Sequence, residues 1–515
     1  MNKTTKLASA GLGLALLTAY APAAQAATTP TVVTTTTGAV RGTSGPQART
    51  FQGIPYATAT RFAAPTPITP WQGTRDATKP GNVCAQPAGY PIGKPSPHED
   101  CLNLNVTTPT PTQPGKRDKL PVIVWIHGGS LMYGMGDLYR AERLAAGGAV
   151  VVSMNYRLGV TSFLTHPSLP DSGSLALDDQ RAALRWVRGN IAAFGGDPGN
   201  VTIMGQSGGG FAVCGHLASP ASAGLFQRAI IQSAPCGDAS RTKAAALAES
   251  TDVIKKTGCA DASDVASCLR DLPISKLLDA YGTNREPRPY SGSPSLPLPV
   301  EQSLRTGRFN RVPVLVGVNH DEENGMILGL ELATGKPMPA EDYRPAIKQA
   351  YGRNAAAVLR RYPPGSSAGR TLAAVKTDST WSTPTLDTAR ALSRWTTTRM
   401  FEFAEQQTPW YAGYPKPSFP AAAQHMAELP YLFDLSLFEK LSPQQSAFAD
   451  RLIATWTRFA RTGDPNGGVG EQAWPRLRDD RGQAGWYVQS LSGGAWQRAD
   501  FVKDHQYRFW TTVMN

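Results

Sequence analysis

The stretch FGGDPGNVTIMGQSGGGFAVCGHL, residues 194–217, decides how the chain is read. Residues 201–204 (VTIM) have the composition of a short buried strand, GQSGGG that of a very tight turn, and 211–217 that of an opening helix. This is the grammar of a nucleophile elbow. Gly205 and Gly209 flank Ser207 at two residues on either side, where a Cβ would collide with the strand and helix that meet there. Such a turn holds the serine hydroxyl above the sheet, over the positive end of the helix.

Outward from the elbow, buried strands alternate with helical stretches. Residues 121–126 (PVIVWI) form a nearly continuous apolar run, as in a strand covered on both faces of a mostly parallel sheet. The run ends in His127-Gly128-Gly129-Ser130, where consecutive glycines can turn backbone N–H groups into a cleft. Residues 150–155, 229–232 and 312–318 are further buried strands. Leu177, Leu184, Val187, Ile191 and Phe194 recur at helical spacing. The alternation predicts an α/β fold, a large, doubly wound, mostly parallel twisted sheet flanked by helices. Residues 32–42 and 49–53 read as edge strands, 443–461 as a helix. The segments 238–311 and 325–420 are read as insertions that cap the cleft, and Trp381, Trp395 and Trp410 in the second could line a pocket.

The first 26 residues resemble a secretory signal: Lys3 and Lys6, a short apolar run, then Ala24-Gln25-Ala26 before Ala27. Residues 27–515 are then expected to form one large domain, exported to the extracellular space. No later segment approaches the roughly 18 unbroken apolar residues of a membrane span. The formal charge of +12 comes from scattered residues, without a basic run or a zinc-finger or RNA-binding pattern, so no nucleic-acid partner is expected. Six cysteines in an exported chain suggest disulfides before metal sites. Cys84 and Cys101 close a short loop, as do Cys259 and Cys268, and parity favours pairing Cys214 with Cys236. None has zinc-site spacing.

A serine hydroxyl becomes a strong nucleophile only when a base takes its proton and a third group orients that base. In α/β hydrolases the order along the chain is serine, acid, histidine. Four of the seven histidines follow Ser207. His216 lies down the helix leaving the elbow, His320 adjoins an acidic cluster, and His505 lies near the C-terminus. His425 opens a loop after the second insertion and fits the order best. For the acid, Asp321, Glu322 and Glu323 all follow a buried strand directly, and spacing does not choose among them; Asp238 is a further candidate.

With these landmarks in hand, the chain closely resembles the type B carboxylesterase family, the cholinesterase and para-nitrobenzyl esterase relatives of the α/β hydrolases. The resemblance runs through FQGIPYA, EDCLNLNV, VIVWIHGG, NYRLG, LDDQRAALRWVRGNIAAFGGDPGNVTIMGQSGG, VPVLVGVNHDE, HMAELPY and FARTGDPN. It implies a catalytic triad of Ser207, Glu322 and His425, and an oxyanion hole built from the N–H groups of Gly129, Ser130 and Gly208. It also implies a second serine, Ser233, beside the triad, and the disulfides Cys84–Cys101 and Cys259–Cys268.

The implied reaction is hydrolysis of a small carboxylic ester through an acyl-enzyme, with no metal or organic cofactor. A lipase acting on longer chains, or a non-catalytic binding module, are the alternatives. The loop between Cys84 and Cys101 has no tryptophan and only Tyr90 as an aromatic, which argues against choline esters. The chain departs from the family at several points. GQSGG stands where relatives usually have GESAG, HGGS where they have HGGG with an aromatic often following, Glu323-Asn324 where the acid segment has glycine, and Met426 where glycine usually follows the histidine.

Overall fold

The computed structural model describes residues 29–89, 92–110, 119–468 and 472–514. The expected signal, residues 1–26, and Tyr90 lie outside the described residues. A 13-stranded sheet runs through the molecule. Its strands are β1 (Thr29–Thr35), β2 (Gly38–Ser44), β3 (Ala48–Pro55), β4 (Asn103–Pro109), β5 (Leu120–Ile126) and β6 (Val150–Met154). They continue with β7 (Gly196–Gln206), β8 (Arg228–Gln232), β9 (Val314–Asn319), β10 (Thr398–Phe403), β11 (Val488–Leu491) and β12 (Gln497–Arg498). The spatial order is β1-β2-β3-β4-β6-β5-β7-β8-β9-β10-β11-β12, and Thr74–Asp76 adds a short strand beside β2. From β6 to β11 every neighbouring pair is parallel, while β1 to β4 form an antiparallel meander at one edge.

The two faces of this sheet follow from the period-2 geometry of a strand. In β5, Val122, Val124 and Ile126 enter one core layer, and Ile123 and Trp125 the other. The first layer is covered by α1 (Leu175–Asn190) and α2 (Gly208–Ala218), through Leu177, Leu184, Val187, Val213 and Leu217. The opposite layer receives Leu452, Trp456 and Phe459 of a long helix, Pro443–Thr462. Each such side chain, fully buried, contributes about 1.5–3 kcal/mol. That long helix begins as its sequence requires. Ser442 and Gln445 form a reciprocal capping box, Pro443 occupies the first turn, and Gly463 at φ 78° ends it in the left-handed region.

Two features differ from the sequence reading. β7 starts at Gly196, five residues before the expected strand, because Gly196 pairs with Leu120 ahead of a register shift at Val201. The larger correction concerns the second insertion, read as 325–420. Residues 398–403 (TRMFEF) lie inside that span, yet they form β10, a wholly buried parallel strand between β9 and β11. Arg399 and Glu402 interrupt the apolar run and hid it. Each charge is accommodated by a partner, Arg399 by Asp464 (2.7 Å) and the Trp474 carbonyl (2.9 Å), and Glu402 by His505 (2.5 Å). Thr383–Ser393, also within the span, packs Leu386, Ala389 and Leu392 on the main core.

Three disulfides are formed, Cys84–Cys101, Cys214–Cys236 and Cys259–Cys268. Loops of this kind, closed in the unfolded chain, typically add about 2–4 kcal/mol each. The second bond ties α2 to the segment just after β8. Asn105, in the glycosylation-like sequon Asn105-Val106-Thr107, is buried, accepting from Gly53 N and donating to Ser153 Oγ. Among the described residues no helix is long and apolar enough to cross a membrane.

Candidate active site

Parallel register brings the informative loops to one edge of the sheet. Gly205 of β7 lies beside Ile126 of β5, Gln206 beside Gln232 of β8, and Gln232 beside Gly317 of β9. The residues that follow each strand therefore emerge together, at the carboxyl ends of the parallel strands. Residues 127–131, 207–208, 233 and 320–323 are such exits.

Ser207 caps α2 with φ 55° and ψ −124°, a backbone conformation that costs a non-glycine residue about 1–3 kcal/mol. The elbow glycines are forced by contact. A Cβ on Gly209 would lie 1.9 Å from the Ile126 carbonyl oxygen, and one on Gly205 would lie 2.4 Å from the Gly209 backbone. The turn is held by Ser207 N donating to the Gln232 carbonyl (2.9 Å) and Phe211 N donating to the Ser207 carbonyl (2.9 Å).

Facing the elbow is the loop after β5. Ser130 and Leu131 are both left-handed, at φ 56° and 60°, and Gly129 lies at φ 104°. A Cβ on Gly208 would come within 2.9 Å of Ser130 N and 2.7 Å of Leu131 N, so the two backbones meet at that point. Among the described residues, the N–H groups of Gly129, Ser130 and Gly208 donate to no hydrogen-bond acceptor. His127 anchors the base of this loop. Its ring stacks on Tyr156 at 4.4 Å, and burial depresses its pKa to about 4, which keeps it neutral.

The loop after β9 supplies three consecutive carboxylates that turn to three different partners. Asp321 meets Gln406 Nε2 (3.1 Å) and His320 (3.1 Å). Glu322 accepts from Asn319 N at Oε1 (2.8 Å) and contacts His425 Nδ1 at Oε2 (2.5 Å). Glu323 accepts from the Trp381 indole N–H (2.8 Å) and pairs with Lys376 (3.1 Å).

His425 is bound to this corner through its backbone too, its N donating to the Glu322 carbonyl (3.1 Å). Gln206, next to Ser207 in the chain, donates its side-chain N–H to the His425 carbonyl (2.6 Å), which a carboxylate there could not do. Burial disfavours a charged His425, yet the Glu322 carboxylate, seconded by Glu428 and Glu323, outweighs it and raises the imidazole above its ordinary value. Nε2 of His425 is buried and has no hydrogen-bond partner among the described residues. A strained serine, an imidazole with one nitrogen gripped and the other open, and a nest of unspent N–H groups are the parts that activating a hydroxyl against a carbonyl requires.

The other candidates go elsewhere. His216 bridges Ser222 and Gln180, and burial drives its pKa to about 3. His505 lies between Asp378 (2.7 Å) and Glu402 (2.5 Å). Asp238 is half exposed and pairs with Arg241 and Arg288. Ser233, at φ 50°, follows β8; its hydroxyl is buried without a hydrogen-bond partner among the described residues. Among the described residues, His320, Glu402 and His505 form the one group that could offer ligands to a metal ion, and both ring nitrogens of His505 already hold carboxylates.

Sequence reasoning passed over Glu428, which lies in the same HMAELPY stretch as His425. Glu428 accepts from Asn319 Nδ2 (2.7 Å) and Gln232 Nε2 (3.0 Å), and burial pushes its carboxyl up to about 7. Its spacing of three residues from His425 was the available signal.

A family model described as the carboxylesterase family matches residues 29–510. The chain is 32% identical to the para-nitrobenzyl esterase of Bacillus subtilis (strain 168), covering 87% of this chain and 93% of that one. It is likewise 32% identical to the cocaine esterase of Homo sapiens, over 90% and 87%. Among solved structures it is similar to a PNB esterase, with a TM-score of 0.74 and 31% identity over 92% of this chain and 99% of that one.

Proposed function

The chain belongs to the carboxylesterase family and is a carboxylic-ester hydrolase with an α/β-hydrolase fold; from that premise we propose that Ser207, His425 and Glu322 carry the reaction. Ser207 Oγ attacks the ester carbonyl carbon while His425 Nε2 takes the hydroxyl proton. Glu322 holds Nδ1–H and stabilises the imidazolium. The N–H groups of Gly129, Ser130 and Gly208 receive the oxyanion. Collapse of the tetrahedral intermediate breaks the bond to the alcohol, which leaves with the proton from Nε2. Water then attacks the acyl-enzyme by the same route and frees the acid. Ser233 supports the back of this corner.

The observation that carries the reading is the 2.5 Å contact of Glu322 with His425, in a corner hydrogen-bonded to the elbow through Gln206. Small esters in aqueous solution are the proposed substrates, consistent with the short loop closed by Cys84 and Cys101. Three disulfides favour an exported enzyme. The test is hydrolysis of p-nitrophenyl esters of increasing acyl length by wild type and Ser207→Ala, with fluorophosphonate labelling mapped to Ser207. Equal turnover by the two proteins would reject the assignment of the nucleophile. Preference for long chains only above their solubility limit would favour a lipase.

A further inference from the structure

We propose that Trp381 is a positioning residue for the His425 imidazole and that Glu323 holds it there. The inference rests on the triad reading above and extends it. During the reaction the His425 ring must keep Nε2 aimed at Ser207 while its charge changes. One hydrogen bond, to Glu322, fixes a single edge of that ring.

The neighbour that limits rotation about this hydrogen bond is Trp381, whose ring lies 4.6 Å from the imidazole, tilted by 48°. Trp381 is half-buried and packs at its inner end on the main core. It comes from a π-helical segment, Thr377–Ser382, set between the helices Ala368–Lys376 and Thr383–Ser393. The wider turn of such a segment re-aims the side chains it carries.

Two contacts from that segment and one from Lys376, just before it, reach the acid loop, all through Glu323, the residue after Glu322. The indole N–H donates to Glu323 Oε1 (2.8 Å), Lys376 Nζ lies 3.1 Å from Oε2, and Glu323 N donates to Thr377 Oγ1 (3.1 Å). The remaining side of the segment is anchored by Asp378, bonded to His505 (2.7 Å) and Tyr362 (2.6 Å). The two consecutive glutamates thus act in relay, Glu322 gripping the imidazole and Glu323 gripping the ring packed against it. The indole also screens the Glu322–His425 contact from water and offers its π electrons to the imidazolium.

The experiment measures kcat and KM for p-nitrophenyl acetate, with fluorophosphonate labelling rates, on full-length Trp381→Ala, Trp381→Phe, Glu323→Ala and Glu323→Gln. Misplacement of the base predicts that Trp381→Ala lowers kcat and the labelling rate by about 10- to 100-fold. KM should stay within about threefold, because binding in the ground state is not what is lost. Trp381→Phe, which keeps an aromatic ring, should restore most of kcat. Glu323→Gln, which still accepts the indole N–H, should retain more activity than Glu323→Ala.

Unchanged kcat in Trp381→Ala, with Ser207→Ala inactive, overturns this inference and leaves the triad standing. A raised KM at unchanged kcat overturns it too, by making Trp381 a substrate contact. Activity in Ser207→Ala overturns the triad reading itself. If Trp381→Ala is not recovered folded, Trp381→Leu reads the same step, and Glu323→Ala tests the clamp independently.

Discussion

Two histidines in this molecule lie buried against carboxylates, and the contrast between them separates the imidazole proposed as the base from one whose nitrogens are both taken. His425 has Glu322 on Nδ1 and nothing on Nε2 among the described residues. His505 has Asp378 on Nδ1 and Glu402 on Nε2. Burial alone would lower both. Two hydrogen-bonded anions instead push His505 up to about 10, fixing it as a cation, whereas His425 is raised by its anionic neighbours but still has one nitrogen free to exchange a proton. The surroundings differ in kind as well. Around His425 the backbone is strained at Ser130, Leu131 and Ser207, and N–H groups are left unspent among the described residues. Around His505 polar side chains are paired, and the pairs join the last helices to β10 and to the segment that carries Trp381. Open valence and strain mark the corner proposed to react; saturation marks the pairs around His505.

The sharpest way to break the contrast is to remove each imidazole in turn. His425→Ala should lower kcat by about 10^4- to 10^6-fold. His505→Ala, corrected for the folded fraction by fluorophosphonate titration, should keep kcat within about threefold. Equal losses would erase the distinction.

Stability should respond in the opposite sense. His505→Gln removes the cation between two buried carboxylates and is expected to cost about 3–5 kcal/mol in urea unfolding at pH 6. Because the folded pKa of about 10 exceeds the ordinary 6.5, the contribution of His505 is fully present below about pH 6.5 and is lost as pH rises through about 10. The wild-type urea midpoint should therefore fall across that window more steeply than that of His505→Gln.

Gly208→Ala probes the reactive corner alone. Relatives usually carry alanine here beside HGGG, but in this chain a Cβ would lie 2.7 Å from Leu131 N and 2.9 Å from Ser130 N, so the HGGS loop must shift; kcat should fall by about 10- to 100-fold, with a smaller loss in the unfolding midpoint. Smallest of all is a shift in the pH profile. The acid limb of kcat/KM should lie above pH 6.5, since the base must be neutral and its pKa is raised. Glu428→Gln, by removing a carboxyl group that favours the charged His425, should move that limb to lower pH.

Much of this was legible in the chain because it rests on local rules. The elbow glycines follow from a steric collision between adjacent elements. The parallel strands announce themselves as apolar runs, and the helix Pro443–Thr462 carries its cap in its own letters. Strand β10 was hidden because Arg399 and Glu402 read as solvated charges until Asp464 and His505, far along the chain, are brought against them.

The run Asp321-Glu322-Glu323 marks the boundary most clearly. Sequence by itself determined that a carboxylate would leave the sheet there, since a buried strand ends at Asn319 and three acids follow. Family resemblance singled out the middle one. Only the tertiary structure decided that Asp321 turns to Gln406, Glu322 to His425 and Glu323 to Trp381, because side chains on an irregular loop have no period, and their directions are set by whichever distant partners the fold brings within reach.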